Sequence, residues 1–152
     1  VVRYFFLMRG MNTHLNFDMD LAKDESDQNP VFYLQYAHAR LCNILKHANS
    51  LGHDIQINSD LSLLTMASEI NIIKQLMEFP MILQKTLSNL EPHGITNYLH
   101  DLAGTFHRYY SKERIVSNDK NMTAARLVLI NAIKIVICNG LSVLGINAPE
   151  RM

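Results

Sequence analysis

The apolar positions of the chain change period once. Leu15, Phe17, Met19 and Leu21 fall on alternate residues, the two-residue period of a strand, behind a run, Val1–Met8, that is nearly all apolar or aromatic. From residue 29 onward the period is helical. Asn29-Pro30 joins a capping side chain to a proline suited to the first helical position, which predicts a helix to about Asn49, with Gly52 just beyond its end. Asp60 caps a short turn. Ile70, Ile73, Leu76 and Met77 predict a helix over 69–77, Pro80 is expected to interrupt it, and Ile82, Leu83, Thr86, Leu87 and Leu90 restart the stripe. Pro92 opens the clearest helix: Ile95, Tyr98, Leu99, Leu102, Ala103 and Phe106 recur at helical spacing, with the final step to Tyr109 departing from it. Residues 112–121 read as a polar connection. Met122–Cys138 is apolar almost all round, broken by Thr123, Arg126, Asn131 and Lys134, the pattern of a helix at the centre of a bundle. Asn139-Gly140 is expected to end it in a left-handed conformation, and Pro149 to stop further helix. The expectation is an all-α, antiparallel helix bundle over residues 29–152, preceded by a differently patterned segment, residues 1–28.

At 152 residues the chain is one domain, or one domain and a piece of another. Hydrophobic residues make up 48% and charged residues 18%, a globular balance. Lys+Arg and Asp+Glu number 14 each, which excludes a protein that coats nucleic acid through bulk charge and leaves room for a local patch. The charge is uneven: Arg3, Arg9 and Lys23 face Asp18, Asp20, Asp24, Glu25 and Asp27, so residues 1–28 carry −2 and the rest +2. Cys42 and Cys138 are too few for a metal cage and lie in apolar helical stretches, so free thiols in a reducing, cytoplasmic setting are expected. No uninterrupted apolar run reaches about 18 residues, so no spanning helix and no membrane partner are expected. Val1 opens directly on apolar-aromatic sequence, without a basic leader, as in a piece of something longer.

Signatures of catalysis are missing. The six glycines are scattered singly, and no nucleophile elbow or H-E-x-x-H occurs. His93, His100 and His107 recur every seven residues on one helix face, about 10 Å apart along the axis, too far to share one ion. They read as a solvent-exposed or partner-facing stripe. His38 and Cys42 have chelating spacing but no third ligand nearby, and read as ordinary helix residues. The distinctive segment is Pro30–Arg40. On a helix Tyr33, Tyr36, Ala37 and Arg40 share one side, while Leu34, Leu41 and Leu45 share another. Two tyrosines and an arginine suit stacked bases, at about 1–3 kcal/mol per base, with the guanidinium on phosphate or base. The same pattern also fits half-buried tyrosines whose hydroxyls reach water. Phe106, Tyr109 and Tyr110 add aromatics beside Arg108, Lys112 and Arg114, with core packing the competing reading, above all for Phe106.

Val2-Arg3-Tyr4-Phe5-Phe6-Leu7-Met8-Arg9, Asn12-Thr13-His14-Leu15-Asn16-Phe17-Asp18 and Asn29-Pro30-Val31-Phe32-Tyr33-Leu34-Gln35-Tyr36-Ala37-His38-Ala39-Arg40 resemble the C-terminal third of bacterial arginyl-tRNA synthetases. So do Glu91-Pro92-His93, Tyr98-Leu99 and the ending from Gly140 through Ala148-Pro149-Glu150-Arg151-Met152. The resemblance runs the length of the chain, in order. It implies a DALR-type anticodon-binding helical domain of the class I synthetase kind over 29–152, with 1–28 the tail of a catalytic region and its connector. It implies tRNA-Arg, through its anticodon loop, and the missing catalytic domain as partners. Tyr33, Tyr36 and Arg40 match motif positions toward the anticodon loop, and Phe106, Tyr109 and the terminal Met152 fall in regions that also face it. The His-Ile-Gly-His and Lys-Met-Ser-Lys-Ser type signatures are absent, so ATP with Mg is implied for the full-length enzyme, and no cofactor and no catalytic residue for this chain. At His100-Asp101 the family more often has an aromatic followed by Glu, which leaves His100 outside the expected site. Residues 1–28, cut off from a catalytic domain, are expected to be poorly anchored or self-associating. The competing function is a helical protein–protein interaction module with an apolar groove at Met66, Met77 and Met81, although methionines so placed usually fill core.

Overall fold

Asn29 starts the bundle by spending both ends of its side-chain amide. Its oxygen accepts from the Val31 and Phe32 amides at 3.2 and 3.4 Å, and its nitrogen donates to the Asp24 carbonyl at 2.8 Å. The computed structural model describes residues 1–10, 13–14 and 16–152. Among them all regular structure is helical: α1 (Val2–Leu7), α2 (Met19–Lys23), α3 (Pro30–Ser50), a short 3-10 turn (Leu61–Leu63), α4 (Ala67–Asn89), α5 (His93–Lys112) and α6 (Lys120–Val143). The expected all-α bundle is present. α3 packs on α5 and α6, α4 on α5 and α6, and α5 on α6. Leu34 and Leu41 of α3, Ile72 of α4, Leu99, Leu102 and Phe106 of α5, and Leu127, Ile130, Ile133 and Ile137 of α6 fill the centre. By length and mean hydropathy alone α6 would cross a membrane; half of its most apolar stretch is buried against the other helices.

Three expectations are corrected. The alternating run is no strand: Leu15 lies outside the described residues, and Met19–Lys23 is helical because the Asp18 carboxylate captures the Asp20 and Leu21 amides. Pro80 does not interrupt α4. It sits on the solvent side, where water can take the carbonyl it leaves unpaired, and its neighbour Phe79 is buried on the Tyr98 ring, 5.5 Å between centroids. Tyr98 also donates to the Gln75 carbonyl at 2.9 Å, so α5 holds the turn of α4 that leads into the proline. Asn139-Gly140 does not end α6. Gly140 is helical and admits Leu99: a Cβ there would lie 2.6 Å from a Leu99 methyl. The left-handed glycine after α6 is Gly145, at φ +66°.

Within residues 1–28 the described part of α1 is anchored to the bundle. The Tyr4 ring is fully buried, edge-on to His100 at 6.0 Å, and Arg3 donates to the Gly145 carbonyl at 2.8 Å. Phe5 is buried against Phe17, while Val1, Val2 and Phe6 stay exposed. The C-terminal tail is pinned along α3: Gln35 donates to the Asn147 carbonyl and the His38 ring pairs with the Pro149 carbonyl, both at 2.9 Å, and Lys46 pairs with Glu150 at 2.8 Å.

Candidate nucleic-acid interface on α3 and α5

Burial of Leu34, Ala37, Leu41 and Ile44 fixes the roll of α3. Tyr33, Tyr36 and Arg40 then fall on the flank beside α5, where the histidines at the seven-residue spacing meet them. Tyr33 lies parallel to His100, with ring centroids 5.6 Å apart and planes 5° off. His107 is 5.2 Å from Tyr33 and 5.9 Å from Tyr36, the latter nearly parallel. The Arg40 guanidinium stands 4.7 Å from the Tyr110 ring and 5.8 Å from the Tyr36 ring, and its Nη1 donates to His107 Nδ1 at 3.5 Å. His100 and His107 of the stripe are therefore not exposed: they lie under the tyrosines of α3, and burial, joined at His107 by the Arg40 charge, lowers both pKa values, His107 to about 4. Both rings are neutral near pH 7. Burial also raises the Tyr33 hydroxyl above its ordinary value, against the pull of Arg108.

Tyr36 is 42% exposed, while Tyr33 and Arg40 are half-buried. Beside them opens a cavity of about 530 Å³ lined by Arg40, Asn43, His47, Tyr110, Glu113 and Arg114 among others. An exposed ring, a guanidinium and a cavity with donors and an acceptor can together take a flat base and its phosphate.

Two expected site residues are corrected. Phe106 is 0% and Tyr109 1% exposed, so neither offers a ring face to a nucleotide. Phe106 packs beneath His107 and Tyr110. The Tyr109 hydroxyl donates to the Glu69 carboxylate at 3.0 Å, which also accepts from Arg126 Nε at 2.9 Å. Burial, then the Glu69 charge, push the Tyr109 hydroxyl pKa up. Met152 is 53% exposed at the end of a tail that follows the Gln35–His38–Lys46 flank of α3, away from the Tyr33–Arg40 flank. The structure thus unites Tyr33, Tyr36 and Arg40, and adds His100, His107 and Tyr110. The signal for the additions was present: two facing helices, one with tyrosines three apart and one with histidines seven apart, can interlock.

The match to known proteins covers these same helices. Residues 34–152 match the family model of the DALR anticodon binding domain. The chain belongs to that family. An arginine–tRNA ligase of Salinibacter ruber is 49% identical over 152 residues, all of this chain and 27% of that relative. One of Symbiobacterium thermophilum is 46% identical over 99% of this chain and 27% of its own length. The solved arginyl-tRNA synthetase of Thermus thermophilus superposes on 99% of this chain at a TM-score of 0.85 and 26% identity, using 26% of its own chain. The chain thus spans about a quarter of the length of the relatives it matches. This DALR domain carries no glycine-rich phosphate loop, and among the described residues no three His, Cys, Asp or Glu side chains converge as metal ligands.

Proposed function

We propose that the chain grips the anticodon loop of tRNA-Arg for an arginine–tRNA ligase, whose ATP- and Mg-dependent attachment of arginine takes place on other parts of that enzyme. One observation carries the reading: in a DALR domain, Tyr36 and Arg40 form an exposed stacking surface beside a cavity, with no carboxylate within 4 Å of Arg40 among the described residues. Tyr33, Tyr36 and Arg40 are the proposed contacts, with Met152 joining only if the tail moves. Val1, Val2 and Phe6 are the proposed contact with the rest of the enzyme. Two free thiols, Cys42 and Cys138, suit the cytoplasm.

A titration against a tRNA-Arg anticodon stem-loop and a loop-substituted control tests the reading. The loop should bind more tightly than the control, and log affinity should fall with log salt by about 0.7–0.9 per phosphate contacted. Equal binding to both RNAs would sink it. A second reading, a protein interaction module, draws on the outer face of α4. Met77, Met81, Leu87 and Leu90 are 62–75% exposed there, next to an apolar cavity of about 420 Å³ lined by Leu61, Leu76 and Val128 among others. The methionines expected to fill core are thus on the surface. Such a partner would bind with little salt dependence.

A further inference from the structure

We propose that His107 is the positioning residue of the RNA-facing surface: its ring wedges between Tyr33 and Tyr36, and its Nδ1 holds the Arg40 guanidinium over Tyr110. The role rests on the anticodon-loop reading.

A free guanidinium on a long stem samples many rotamers, and a ligand must order it on binding. Arg40 is ordered beforehand. Two rings, of Tyr110 and Tyr36, lie 4.7 and 5.8 Å from it, and Nη1 is tied to His107. The tie uses one of five N–H donors and leaves the rest for a phosphate or a base edge. The acceptor is a neutral ring. A carboxylate in its place would hold the guanidinium equally well and cancel its charge; among the described residues no carboxylate lies within 4 Å of Arg40, although Glu113 lines the same cavity. With Nδ1 accepting, the proton resides on Nε2, which is buried without a hydrogen-bond partner among the rings. Desolvation and the Arg40 charge both disfavour a second proton, so the acceptor is retained at neutral pH. The wedge also sets the tyrosines: Tyr36 gains a nearly parallel ring behind it, so its outer face is held open.

The test uses the full 152-residue chain, an anticodon stem-loop and three variants. His107→Phe keeps a ring and loses the acceptor. His107→Asn keeps an acceptor near the Nδ1 position. His107→Asp keeps an acceptor but adds a charge that cancels Arg40. His107→Phe should weaken stem-loop binding about 3- to 10-fold, the range spanned by one hydrogen bond and its ordering, and should cost nothing further in an Arg40→Ala background. His107→Asn should recover part of the loss. His107→Asp should bind worst of the three and flatten the salt dependence. Nuclear magnetic resonance of the RNA-free chain supplies a second readout: Arg40 guanidinium protons should exchange slowly in the unaltered chain and His107→Asn, and quickly in His107→Phe. A loss on His107→Phe that persists in full without Arg40 would reduce His107 to packing. So would stem-loop binding that Arg40→Ala weakens and His107→Phe leaves untouched. Absence of any RNA binding by the unaltered chain would overturn the anticodon reading first, and the role of His107 with it.

Discussion

Two clusters packed on α5 join the same ingredients, a tyrosine and an arginine, and put them to opposite uses. At one end Tyr109 and Arg126 converge on Glu69, which is 0% exposed. There the guanidinium is spent: Nε on Glu69 at 2.9 Å, Nη1 on the Arg114 carbonyl at 2.7 Å, and Nη2 3.7 Å from Glu113. On the flank Tyr36 and Arg40 meet His107 instead, a neutral partner, and Arg40 keeps its charge. The difference teaches how to read an arginine in this bundle. Paired with a carboxylate and dehydrated, it ties α4, α5 and α6 together. Propped by uncharged rings at the surface, it is available to an anion. The local sequence, an arginine near tyrosines, does not distinguish the two; the partner does.

The largest expected effect comes from breaking the buried pair. Arg126→Ala strands the Glu69 carboxylate inside the bundle and should cost about 3–5 kcal/mol, read as a large fall in melting temperature. Arg40→Ala, by contrast, should leave the melting temperature nearly unchanged. Smaller is Tyr109→Phe, which removes one donor to Glu69 and should cost about 1–3 kcal/mol of stability in thermal melts, with RNA affinity per folded molecule intact. Chemical denaturation of both variants at one pH would expose an error, since equal and slight losses would make the buried cluster dispensable.

A third effect is a pH dependence, silent at neutral pH. His107 takes up a proton near its ordinary 6.5 in the unfolded chain and at about 4 in the folded one, with His100 lowered as well. The unfolded state therefore binds more protons in this window. Stability is whole above pH 6.5 and declines as pH falls toward 4. The exposed carboxylates Asp60 and Glu150, each held below its ordinary value by a hydrogen bond, from Ser62 and Lys46 respectively, act in the same direction at the acid end. His107→Asn should flatten the decline in melting temperature between pH 6.5 and 4; an unchanged slope would place the titration elsewhere.

Much of this was legible in the sequence. Asn29-Pro30 fixes the start of α3, and the stripe of α5 identifies its buried face. That stripe includes Phe106 as a core position, so periodicity located it better than its place in a family-like region did. What stayed hidden was tertiary. Pro80 is tolerated because Phe79 and Tyr98 hold α4 from α5, a contact no local rule contains. Gly140 is spelled like a helix stop and serves as a slot for Leu99. The seven-residue spacing of the histidines fixes which face they share but not what that face meets. Tyr36 and Arg40 were readable as a pair; His107, which joins them, was visible only once two helices were set side by side.

The central claim, that the α3–α5 flank is a binding surface and not core, is tested most directly by Tyr36→Ala, with melting temperature and stem-loop affinity measured on the same preparation. The account predicts a melting temperature close to that of the unaltered chain and a loss of about 1–3 kcal/mol in binding, the scale of one lost base stack. A bundle destabilised by about 3–5 kcal/mol, the scale of a deleted core aromatic, with unchanged affinity per folded molecule, would contradict it.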